Sequence, residues 1–166
     1  MSRGFVKEDD QEEIPLVPPR ADLPSGVTNY VTQVGMEELL AERSRLLTER
    51  ELLDINDDKD GRIAFNHINA KLKLLNGRIN NAITVDLNKQ PPNVVRFGAK
   101  VVLKIDRAKE NILYQIVGVD EADVSKGKIS FVSPIAKLLM DKKIGDNAIL
   151  KLPKMEREFE IVDIQY

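Results

Sequence analysis

The chain has 166 residues, no cysteine, no tryptophan, a single histidine and a formal net charge of −2. Charged residues make up 31%, aromatics 5% and hydrophobic residues 42%, a balance apolar enough for a core and charged enough for long solvated helices. This composition excludes a disulfide scaffold, a thiolate metal site and a cysteine nucleophile, and no apolar run reaches the roughly 18 residues of a membrane span.

The start, Met1-Ser2-Arg3-Gly4-Phe5, leads into acids rather than an apolar signal core, so a cytoplasmic protein is expected. Residues 1–35 carry a net −3, residues 36–88 a net −2 and residues 89–166 a net +3, too little positive charge for a DNA-binding surface. In the first stretch the acid-rich run Lys7 to Glu13 is followed by Pro15, Pro18, Pro19 and Pro24. Mutual repulsion and proline together predict an extended or disordered tail over residues 1–29.

Residues 30–88 predict a helical hairpin. Thr32 is a helix cap, with Glu37 and Glu38 expected in the first turn. Leu39, Leu46 and Leu53 recur every seven residues, flanked by Leu40 and Leu47, and Arg43 and Arg50 lie between them. The stripe gives way to Asp54-Ile55-Asn56-Asp57-Asp58-Lys59-Asp60-Gly61, a run of turn formers. A second seam follows through Ile68, Leu72, Leu75, Ile79 and Ala82, which Ala64 or Phe65 extends toward the turn. Two such helices on a short link pack antiparallel, with the acidic turn near 54–61 at the free tip.

Pro91-Pro92 marks the end of the hairpin. Residues 89–166 then alternate as short strands: Val101 to Ile105, Ile112 to Val117, Ile129 to Phe131, Ile149-Leu150 and Phe159 to Ile164, with a short helix from Pro134 to Met140. The fold class expected is α+β, an antiparallel sheet with one helix on its face, carrying the hairpin ahead of it.

No serine elbow, phosphate loop or paired metal histidines occur, and His67, expected at the start of the second helix, lacks an orienting partner. The chain is therefore expected to have no active site and no cofactor of its own. Reading Asn56 as the first position of a calcium loop places Asp58, Asp60 and Gly61 suitably, but the twelfth position is His67 instead of a bidentate glutamate. A cation-binding interaction module stands as one reading, a solvated turn as another, and carboxylates presented to a partner as a third.

The run Tyr114 to Asp123, the run Ile129 to Leu139, Lys143-Ile144-Gly145-Asp146 and the closing Phe159 to Ile164 resemble the Gre family of bacterial transcription elongation factors. Tyr30-Val31-Thr32, Gly35 and Leu39, and later Phe97 to Val101, are similar to the entries into that family's two parts. The resemblance implies an antiparallel coiled coil on an FKBP-like domain, a monomer that docks at the secondary channel of RNA polymerase and touches DNA and RNA only through the transcription complex. It implies that tip acids share Mg2+ with the polymerase, so that a backtracked transcript is cleaved. Asp57, Asp58 and Asp60 are then the candidate catalytic and metal-binding carboxylates, with Glu51 and Asp54 as the alternative pair. Asp120, Glu121, Asp123, Ser133 and Pro134 match the segment that meets the polymerase.

The sequence departs from the family at the tip. A stretch resembling Gly-Asp-Leu-Ser-Glu-Asn is absent, and Gly35 to Asp57 spans roughly 33 Å as helix. A non-cleaving modulator in the same channel, similar to the shorter regulator of nucleoside diphosphate kinase, is the alternative to a cleavage factor.

Overall fold

A computed structural model describes residues 15–56 and 59–166. Strand β1 (Asn29–Val31) leads into helix α1 (Gln33–Glu51), which turns back as helix α2 (Lys59–Asn81) and strand β2 (Ala82–Thr84). The sheet region follows with β3 (Lys100–Ile105), β4 (Asn111–Val117), β5 (Lys128–Ser130), helix α3 (Pro134–Leu139), β6 (Asn147–Lys151) and β7 (Glu156–Gln165).

Thr32 caps α1 as expected, its hydroxyl accepting the Gly35 N–H at 3.0 Å. The cap places Gln33 at the first helical position, so Glu37 and Glu38 fall in the second turn and the first turn holds no acid. Leu39 and Leu46 of α1 and Ile68, Leu72 and Leu75 of α2 are buried against one another, with Leu47, Leu53, Ile79 and Ala82 packed around them. Contacts at both ends make the pair antiparallel. Asn29, just ahead of α1, donates to the Arg78 carbonyl near the end of α2. Arg50, near the end of α1, donates to Asn69 and stands over the Phe65 ring at 5.9 Å.

The turn between the helices is displaced from its expected position. Helix α1 ends at Glu51, and α2 begins at Lys59, so Asp60 and Gly61 are helical. An aspartate in a first turn is stabilised by the helix dipole, and the buried Gly61 continues the packed seam. The twelve-residue calcium loop is therefore not formed, because the residues that would be its fifth to eighth positions are helical. His67 lies in the third turn of α2 rather than at its start, half-buried beside Pro15, Leu16 and Ile63.

The strand pair at the base of the hairpin was not foreseen from sequence. β1 and β2 run parallel, with Tyr30 opposite Ile83, so Ala82 leaves the helix to begin a strand. The larger sheet has the order β5-β4-β3-β7-β6. It is mixed rather than wholly antiparallel, because β4 and β5 pair parallel after the chain crosses through a 3-10 turn at Val124–Lys126 and the left-handed Gly127. A register shift against Val102/Leu103 lets β7 present Phe159, Ile161 and Ile164 all to the core despite the three-residue step. Val162 is the residue left over, and it faces outward. Ala136 and Leu139 of α3 close this core over Val101, Leu103, Ile116 and Ala148. Of the expected tail, residues 1–14 lie outside the described residues. Residues 15–28 form neither helix nor strand but lie against the hairpin through Arg20.

Candidate functional site

The free end of the hairpin gathers three of the acids singled out in the sequence. Glu51 is the last residue of α1, Asp54 lies in the turn, and Asp60 sits in the first turn of α2; all three are exposed. One Asp54 oxygen accepts the Asn56 N–H at 3.0 Å, a local turn that holds this carboxylate at the end of the hairpin. Leu52, 81% exposed, and Ile55 stand beside them, so the tip is apolar as well as acidic. Asp57 and Asp58 lie outside the described residues. Among the described residues, no three His, Cys, Asp or Glu side chains come together to hold a metal ion. What the tip offers is a set of hard, solvent-facing carboxylate oxygens, the donor type that suits Mg2+ as a shared rather than enclosed ligand.

The opposite end of the hairpin is joined to the sheet region by side chains that sequence reasoning had placed at a partner's surface. The Glu121 carboxylate is buried, only 6% of the residue being exposed. One of its oxygens accepts the backbone N–H of Thr32 at 3.0 Å and that of Gly118 at 3.1 Å; the other accepts the Thr32 hydroxyl. The residue that caps α1 is thus itself held by the sheet region. Gly35 makes this possible, since a Cβ there would stand 2.1 Å from Glu121 Cδ. Three rings complete the joint. Tyr30, beside β2, meets Phe97 and Phe131 with centroids 5.8 and 5.9 Å away, and those two rings meet edge-on at 5.5 Å.

Asp120 also faces inward. Its Oδ1 accepts from Arg20 Nε at 2.9 Å, and its Oδ2 lies 3.4 Å from Arg78 Nε, an ion pair without hydrogen-bond geometry. Arg20 meanwhile forks onto both oxygens of Glu42 at 2.9 and 3.0 Å. The Glu42 hydrogen bond and the Asp120 carboxylate together raise the Arg20 pKa against the opposing pull of desolvation, so the cation stays fixed. Residues 20 and 120 are a hundred positions apart, and no spacing in the sequence connects them.

Asp123, Ser133 and Pro134 are disposed differently. Asp123 caps the 3-10 turn, and hydrogen bonds from the Ser125 hydroxyl and N–H hold its pKa below the usual aspartate value. Ser133 caps α3 by accepting the Ala136 N–H at 3.3 Å, and Pro134 follows as the exposed first residue of that helix. These three residues border solvent, whereas Asp120 and Glu121 are engaged within the chain.

An acid-ended helical hairpin keyed onto a five-stranded mixed sheet defines a two-part accessory protein rather than an enzyme with an enclosed cleft. Residues 90–166 match the family described as transcription elongation factor GreA/GreB, C-terminal part. The chain is 37% identical over 153 residues to transcription elongation factor GreA of Francisella philomiragia subsp. philomiragia, an alignment covering 82% of this chain and 95% of that protein. It is 41% identical over 99 residues to GreA of Pelobacter propionicus, covering 60% of this chain and 63% of that relative. A solved structure of GreA factor homolog 1 from Thermus thermophilus is 26% identical, covers 84% of this chain and all of that one, and superposes with a TM-score of 0.39. The chain belongs to the GreA/GreB family of transcription elongation factors. No helix among its described residues is long and apolar enough to cross a membrane.

Proposed function

We propose that this protein binds RNA polymerase at the secondary channel, regulates elongation and lends tip carboxylates for cleavage of backtracked transcripts. The observation that carries the reading is the placement of Glu51, Asp54 and Asp60 at the exposed end of a hairpin whose other end is keyed to the sheet region. Family membership supplies the partner, because relatives across most of the chain's length are named transcription elongation factors.

The chain's own part in such a reaction is positional. Helix α1 runs for 19 residues and α2 for 23, about 28 and 34 Å, so the hairpin is a stiff spacer between docking surface and tip. Its packed seam keeps the tip from drifting, and side chains held in place lose little entropy when they meet a target. Glu51, Asp54 and Asp60, with Asp57 and Asp58 outside the described residues, are the groups that would bind Mg2+ held jointly with the polymerase. When bound, the ion would stabilise developing charge and activate water. Asp123, Ser133 and Pro134 would form the contact with the polymerase rim, and the protein needs no cofactor of its own.

The test is a stalled elongation complex incubated with the wild-type protein and with a variant carrying Glu51→Gln, Asp54→Asn, Asp57→Asn, Asp58→Asn and Asp60→Asn. The wild type should co-purify with core polymerase and shorten the stalled transcript, while the variant should still co-purify and leave it intact. Failure of the wild type to bind polymerase would overturn the reading. Binding without any shortening would replace cleavage by modulation.

A further inference from the structure

The joint has two separate points of attachment, and only one of them lies within the two packed parts. At the first, Glu121 holds the start of α1 through the Thr32 backbone and hydroxyl. A single attachment at a helix end permits rotation about it. The second attachment is made by Arg20, which belongs to neither helix nor sheet. Its Nε donates to Asp120 of the sheet region, and its two terminal nitrogens donate to Glu42 of α1. Glu42 lies ten residues beyond Thr32, about 15 Å further along the helix. The backbone of the same segment is gripped by α2, where Arg78 donates to the Ala21 carbonyl and also pairs with Asp120. One short stretch of chain therefore contacts α1, α2 and the sheet region together.

We propose that residues 15–28 are a strap that fixes the angle between the hairpin and the sheet region, with Arg20 as its latch. Two arginines meet two carboxylates, so the cluster is electrically balanced despite the burial of the Asp120 side chain, which is 5% exposed. The fork of Arg20 onto Glu42 uses both guanidinium ends, a geometry lysine cannot reproduce. Pro15, Pro18, Pro19 and Pro24 restrict the free strap before it docks, which lowers the entropy lost on ordering it. The brace acts some 15 Å from the pivot, so small movements at Thr32 are resisted with leverage. The assignment concerns the chain's own geometry and stands or falls apart from the polymerase reading.

The chain contains no cysteine, which permits clean labelling at two introduced sites. Spin labels at Glu51→Cys, on the hairpin tip, and Lys137→Cys, on the exposed side of α3, report the angle as a distance distribution by double electron–electron resonance. The otherwise unaltered protein should give one narrow distribution. Arg20→Ala should at least double its width, and Arg20→Lys, which keeps the charge but loses the fork, should fall between. Glu42→Gln, which leaves strap and pivot untouched, should broaden it as well. Unchanged widths in Arg20→Ala would overturn the proposal. Broadening by Arg20→Ala without broadening by Glu42→Gln would also overturn it, since the strap would then act only on the Asp120 loop. Far-ultraviolet circular dichroism on each variant excludes unfolding as the source of any broadening.

Discussion

Replacing Glu121 tests the physical claim on which the two-part arrangement depends, that a buried carboxylate ties the start of α1 to the sheet region. In Glu121→Ala the backbone N–H groups of Thr32 and Gly118 lose their acceptor. A buried donor left unsatisfied costs about 1–3 kcal/mol, so the pair costs about 4 kcal/mol. Water entering the vacated space reduces that figure. At about 2–4 °C per kcal/mol for a chain of this size, the midpoint of thermal unfolding should fall by about 8–16 °C. Glu121→Gln behaves differently. Its amide oxygen can stay between the two N–H groups, and only the bond from the Thr32 hydroxyl must reverse, so the fall should be about 2–4 °C. The assay pairs differential scanning calorimetry with amide hydrogen exchange. Protection should be lost together at Thr32 and Gly118, two amides far apart in sequence, in the alanine variant and kept in the glutamine variant. A melting point for Glu121→Ala within about 1 °C of wild type, or unchanged protection at both amides, would refute the reasoning.

Two further expectations concern the hairpin core and the sheet. Leu75 is fully buried and Leu74 is 41% exposed, so Leu75→Ala should cost about 2–5 kcal/mol while Leu74→Ala stays within about 0.5 kcal/mol, as read by urea unfolding. Asp106, in the β3–β4 turn, accepts the Glu158 N–H and an Arg157 hydrogen bond, and these hold its pKa below the usual aspartate value. A depressed folded pKa means that the charged form is favoured by folding. Its contribution is complete above about pH 4 and disappears as pH falls through the lower folded value, a loss that Asp106→Asn should remove from the pH dependence of stability.

The seven-residue spacing of Leu39 and Leu46 and the seam through Ile68, Leu72 and Leu75 were sufficient to place the hairpin, because helical periodicity is a local property that burial simply uses. Thr32 was legible as a cap for the same reason. The turn was misplaced because Asp60 and Gly61 are poor helix formers in isolation. Their position in a first turn and in a packed seam outweighs that preference. The parallel β4–β5 pair could not be read from strand patterning, which records which face is buried but not which neighbour is chosen.

The candidate site divides in the same way. Acids concentrated in a short turn between two helices determined that carboxylates stand at the tip, since the chain has nowhere else to put them. The fate of Asp120 and Glu121 was decided only by tertiary structure. An acidic loop reads as a solvated surface until Arg20, Arg78 and the Thr32 amide are brought to it from remote parts of the chain. Local sequence specifies what a segment prefers to be. Charge pairing across a hundred residues exists only once those segments are packed, and here it turns two expected partner contacts into the joint that sets where the tip points.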